Sequence, residues 1–142
     1  MTIDAASIDR ILPHPMPINR TTNMLLHILR RIAIGGLGDA HAANALLAHF
    51  GKSYRRPLVL IRAFMAELAR ASHQPIIIAP CCCNRMTQGE ATLLAAVIGA
   101  NDDVLATHER LTALSGTPDC IGALTSAQAV EQAFRDLGRP LS

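Results

Sequence analysis

The 142-residue chain has no tryptophan, a single tyrosine (Tyr54) and three phenylalanines (Phe50, Phe64 and Phe134). With aromatics at 3% of the residues, the core has to be aliphatic, and close helix packing through alanine is the expected compensation. Lysine is nearly missing too: Lys52 is the only one among thirteen basic residues. Charged residues reach only 17% and the formal net charge is +2, far from the basic balance with which nucleic-acid binders neutralise phosphate. No apolar run approaches the roughly 20 residues needed to span a bilayer, and the N-terminal stretch lacks the positive and apolar regions of a secretory signal. These absences lead to the expectation of a cytoplasmic protein with neither membrane nor nucleic-acid partner, whose thiols stay reduced.

What is present favours folding. Half of the residues are hydrophobic, unlike a disordered chain, and the length suits one domain rather than two. Pro13, Pro15 and Pro17 bias their predecessors toward extended geometry, so residues 1–18 read as a proline-containing arm and 19–142 as the domain.

Helical periodicity then recurs. From Asn19 to Ile34 the apolar set is Met24, Leu25, Ile28, Leu29 and Ile32, with Asn23, His27, Arg30 and Arg31 as a polar stripe. Asp39 is placed to cap a second helix ending at Phe50, where Gly51 supplies the left-handed position. Gly36 and Gly38 read as helix punctuation rather than a phosphate cradle, since no strand precedes them. Pro57 suits the first turn of a third helix reaching Ser72, with Glu67 and Arg70 paired on its surface.

Thr87-Gln88-Gly89-Glu90 matches a capping box opening a fourth helix to about Ala100. Asn101 is expected to cap a fifth helix, Asp102 to Ser115. A sixth is expected from Thr125 or Ser126 to Leu137, with Glu131 and Arg135 as a surface pair. The prediction is a mainly α fold: a compact single-domain bundle of about six short helices, with one short extended or strand segment near residues 75–80.

Cys81-Cys82-Cys83 is the one unusual local feature. It lies between the Ile76–Ile78 run and a helix start, where the helix dipole and Arg85 would favour a thiolate, and Glu90 would be a partly buried acid or base. The Cys-x-x-Cys spacing of thioredoxin-like sites is absent. A zinc site would need Cys81, Cys83 and Cys120 with His73 or His108, a spacing that matches none of the usual paired-ligand patterns. The plainer reading makes these cysteines small hydrophobes packed in a tight, buried loop, requiring no cofactor.

His41 and His49, eight residues apart, read as solvated, and His108 as a hydrogen-bonded boundary residue between Val104 and Leu111. Arg55-Arg56 beside Tyr54 reads as a solvated or interface pair.

At Arg55-Arg56-Pro57-Leu58-Val59-Leu60, Pro80-Cys81-Cys82-Cys83 and Phe134-Arg135-Asp136-Leu137-Gly138-Arg139-Pro140 the chain resembles a family of small, uncharacterised bacterial proteins. That resemblance covers most of the chain and implies no activity. Two functional expectations follow from the residues themselves. The first is a non-enzymatic intracellular interaction module that pairs with itself as a homodimer, the Ile76–Ile78 run joining across a two-fold axis and the arm crossing to the second copy. The second is a thiol-dependent redox enzyme or metal-binding protein using the Cys81–Cys83 loop.

Overall fold

In the computed structural model, residues 12–142 are described. The first eleven residues of the expected arm lie outside them. The remainder of the arm does not leave the domain: strand β1 (His14–Pro15) pairs antiparallel with β2 (Arg85–Met86), His14 opposite Met86. Arg85 fastens it, donating from Nε to the Leu12 carbonyl (2.8 Å) and from Nη2 to that of Pro13 (3.0 Å).

Six α-helices follow the expected order: α1 (Arg20–Gly35), α2 (Ala40–Phe50), α3 (Arg55–Ala71), α4 (Gln88–Ile98), α5 (Val104–Ser115) and α6 (Ile121–Asp136). A single 3-10 turn, Gly51–Ser53, joins α2 to α3. No helix among the described residues is long and apolar enough to cross a membrane.

Local signals set several of the ends. Asn19 caps α1 by accepting from the Thr22 amide, and Asp39 caps α2 by accepting from the Ala42 amide at 3.0 Å. Gly36 and Gly51, at φ of 86° and 59°, take the positive-φ positions that end α1 and α2 without the Cβ penalty other residues would meet.

Two helix starts differ from expectation. Asp103, not Asn101, caps α5, accepting from the Ala106 amide at 3.1 Å. Asn101 is occupied elsewhere: its amide nitrogen donates to the Gln128 carbonyl and to Glu131, tying the α4–α5 turn to α6. The last helix begins at Ile121, ahead of the expected Thr125 or Ser126, because burial of Ala123 and Leu124 makes the earlier turn part of the core. The Thr125 hydroxyl consequently bonds back to the Ile121 and Gly122 carbonyls instead of capping. The expected Glu131–Arg135 contact forms, but Glu131 is buried rather than on the surface.

The core is aliphatic and alanine-rich, as the lack of aromatics requires. The most extensive helix pair is α3 with α6, where Ile61, Phe64 and Leu68 are buried on one helix and Ala123, Ala127 and Phe134 on the other. Phe134 also meets Phe50 edge-to-face with centroids 5.2 Å apart, so two of the few aromatic rings join α2 to α6.

The Asp39 cap carries a pH signature. A hydrogen bond from Arg31, then the Ala42 amide and the Arg31 charge, hold this carboxyl below its ordinary value against desolvation. Its stabilisation is therefore present above the unfolded carboxyl value of about 4 and is lost as pH falls through the lower folded value. Asp39→Asn should flatten that part of the stability profile between about pH 5 and 2, as measured by urea unfolding across pH; an unchanged profile would show that the cap is not linked to protonation.

Candidate functional site

Of the residues singled out in the sequence, His73, Cys81, Cys82, Cys83 and Arg85 lie along one connector, 72–87, between α3 and α4; Glu90 stands just beyond it in α4, and His108 and Cys120 lie elsewhere. The connector starts where the His73 amide donates to the Ser115 carbonyl (2.7 Å) and the Gln74 side chain donates to the Ala113 and Leu114 carbonyls. Residues 75–80 then run without helix, turn or sheet pairing, so the Ile76–Ile78 run is the extended link rather than a strand. Ile76 and Ile78 pack against the core while Ile77 is 61% exposed, the alternation of an extended chain.

The two peptide edges of this link differ. The Thr87 hydroxyl donates to the Ile77 carbonyl at 2.7 Å. A Cβ on Gly89 would stand only 3.2 Å from that oxygen and 3.6 Å from the Ile77 nitrogen, so absence of a side chain at Gly89 is what lets the start of α4 approach. The Ile77 edge thus faces α4. In an extended chain the neighbouring residues present their N–H and C=O groups on the opposite edge, and no hydrogen bond among the described residues uses those of Ile76 or Ile78. Openings of about 570 Å³ and 340 Å³ flank the link, the first toward Thr87 and Leu114, the second toward Met65 and Ser72 of α3 and its end.

The far end of the connector is locked by Arg30, which the sequence placed on a polar stripe. It is instead 1% exposed. Its Nε and Nη2 donate to the two Glu90 carboxylate oxygens at 2.6 and 3.0 Å, Nη1 donates to the Cys83 carbonyl at 2.7 Å, and Nη2 to the Arg85 carbonyl at 2.9 Å. The bond to Glu90 raises the already high Arg30 value against desolvation, so the guanidinium stays charged in the interior. Glu90 simultaneously accepts from the Thr87 amide at 2.9 Å while Thr87 accepts from the Glu90 amide, completing the capping box. The signal for this pairing was Leu26, buried and four residues before Arg30, which extends the apolar face to the arginine's position.

This arrangement changes the reading of the thiols. Glu90 is engaged by Arg30 and by its own helix start. At the helix start the Thr87 and Glu90 amides are taken within the capping box, and β2 stands between Cys83 and α4 in the chain. Arg85 is turned to the arm. The cations near the loop are Arg30, bound to the Cys83 carbonyl, and Arg31, which bonds Asp39 and is further favoured in its charged form by the Cys81 side chain.

All four thiols are free, and they form no cluster in space. Nor are the three in the loop buried together: Cys82 is exposed and Cys81 and Cys83 are half-buried, because the loop lies on the surface above the Arg30 clamp, whereas Cys120 is buried at the start of α6. Among the described residues no three of His, Cys, Asp and Glu come together as metal ligands, so the set of Cys81, Cys83, Cys120 and His73 or His108 is not assembled. His73 is exposed, and His108 reaches the Pro118 carbonyl at 3.1 Å, the boundary role expected of it.

Two measurements test this geometry. Arg30→Met and Glu90→Gln should each cost about 3–5 kcal/mol of unfolding free energy, and the double variant less than the sum, because each single change strands a buried polar partner. Strictly additive losses in urea unfolding would show that the two do not act as a pair. Native alkylation should label Cys82 first and leave Cys120 untouched until denaturant is added; protection of Cys82 in the folded protein would contradict the loop's placement.

No curated protein and no solved structure matches the chain. A family model does match, over residues 3–139, and its description is a family of unknown function. The match spans every helix and strand described above and carries no activity with it; the chain belongs to this family of unknown function, DUF6628.

Proposed function

We propose that the protein is a non-enzymatic interaction module that pairs with a second copy of itself through the free edge of residues 76–78. The observation that carries this reading is the unused backbone of Ile76 and Ile78 beside the exposed Ile77 side chain. An unpaired extended edge is a template for a further strand. Antiparallel pairing centred on Ile77 sets Ile76 opposite Ile78 of the partner subunit, and the reverse. Each such pair exchanges both its N–H···O bonds, satisfying the whole free edge by two-fold symmetry. Pro75 does not obstruct it, since its missing N–H belongs to the Ile77 edge.

Thiol chemistry at Cys81–Cys83 is the second reading, supported by exposure of Cys82 and by Arg31 near Cys81. Among the described residues no group of three His, Cys, Asp or Glu side chains assembles at the loop to support it.

Ile77→Lys tests self-pairing, because a lysine on an edge strand opposes pairing and the wild-type side chain is largely exposed. Light scattering at micromolar concentrations should give a dimeric mass for the wild type and a monomeric one for the variant, with similar thermal unfolding of the monomer fold. A monomeric wild type over that range would remove the proposal.

A further inference from the structure

Three chain ends converge on His49, away from the connector. The first turn of α1 supplies Thr21, whose hydroxyl is 3.3 Å from His49 Nε2. The last turn of α2 supplies His49 itself, its ring edge-to-face with Phe50 at 4.9 Å, and Phe50 in turn packs on Phe134. The segment after α6 turns at Gly138 (φ 74°), where the Arg139 amide donates to the Phe134 carbonyl at 2.9 Å. It then crosses back to α1: Ser142 donates its amide to the Thr22 hydroxyl (3.1 Å) and accepts from it (2.8 Å). These contacts set the turns that carry Arg20 and Arg139 beside His49, near enough for both arginine charges to act on its ring.

Among the described residues no aspartate or glutamate pairs with the charge there. Among the described residues neither Arg20 nor Arg139 makes an ion pair or side-chain hydrogen bond, and Ser142 presents its oxygen to Thr22 rather than to either arginine. The ion pair between α3 and α6, Arg56 with Asp136 at 2.9 Å, is satisfied within itself. Thr21 is 7% exposed, a buried hydroxyl with one long side-chain contact. Both arginines are exposed, and a guanidinium holds phosphate oxygens bidentately.

We propose that this convergence is a binding site for a phosphate group, free or as a monoester, held between Arg20 and Arg139, with the hydrogen-bonded Thr21–His49 pair supplying one further donor. The site is independent of the 76–78 edge, so failure of self-pairing leaves it standing. Desolvation first, then the charges of Arg139 and Arg20, lower the His49 value, which makes this histidine a reporter: a bound dianion offsets both arginines and raises it.

The experiment follows the His49 ring protons by NMR across pH with inorganic phosphate, with methyl phosphate and with sodium chloride at equal ionic strength. Either phosphate probe should raise the apparent His49 value by about half a unit or more beyond the chloride control, saturably. A response to both identifies the phosphate group as the recognised element, and a response to one identifies the free anion or the monoester. In the Arg20→Gln/Arg139→Gln double variant the anion-dependent rise should be lost while the anion-free value moves up. No rise beyond chloride with either probe, or a rise that persists in the double variant, overturns the proposal.

Discussion

The buried pair of Arg30 and Glu90 is the constraint on which the rest of the connector depends. One carboxylate closes the capping box of α4 and neutralises a guanidinium inside the core, and that guanidinium also gathers the Cys83 and Arg85 carbonyls. Four hydrogen bonds from a single side chain thus join α1, the cysteine loop, β2 and the start of α4. Removing two charges from water is costly, and the attraction between them offsets that cost only when the remaining groups are also paired; here each guanidinium nitrogen and both carboxylate oxygens have a partner. The pair's physical contribution is therefore placement: it selects one position of the loop over other ways of covering the α1–α4 core.

Everything exposed on this side follows from that placement. With α4 fixed, Thr87 and Gly89 take up one edge of the 75–79 link and leave the other without partners. With the Cys83 carbonyl held from below, the loop lies over the clamp, Cys82 outward and Cys81 toward Arg31. The tripeptide that stands out in the sequence is thus less constrained in the fold than the arginine beneath it, whose one local sign is Leu26, four residues earlier on the same face.

Legibility varied with the range of the interaction. Asp39, Gly51 and the Thr87–Glu90 box act within four residues of themselves, so composition and spacing suffice to find them. Asn101 has the chemistry of a cap as good as that of Asp103, and only the approach of Gln128 and Glu131 from α6 draws it away. Thr125 likewise reads as a helix start until Ala123 and Leu124 are needed in the core. The alanine-rich packing of α3 on α6 was implied by the scarcity of aromatics, but not which helices would meet.

The amino-acid sequence by itself determined six helices, the caps at Asp39, Gly51 and Thr87–Glu90, a short extended or strand segment near residues 75–80 and an aliphatic core, because backbone periodicity and capping are short-range effects that each segment settles alone. Tertiary structure decided where Arg30 points, which edge of Ile76–Ile78 is spent, how far apart the cysteines lie and which cations gather at His49. Those depend on residues up to 120 positions apart, such as Thr22 and Ser142, whose meeting is set by how apolar faces pack and not by any neighbour in the chain.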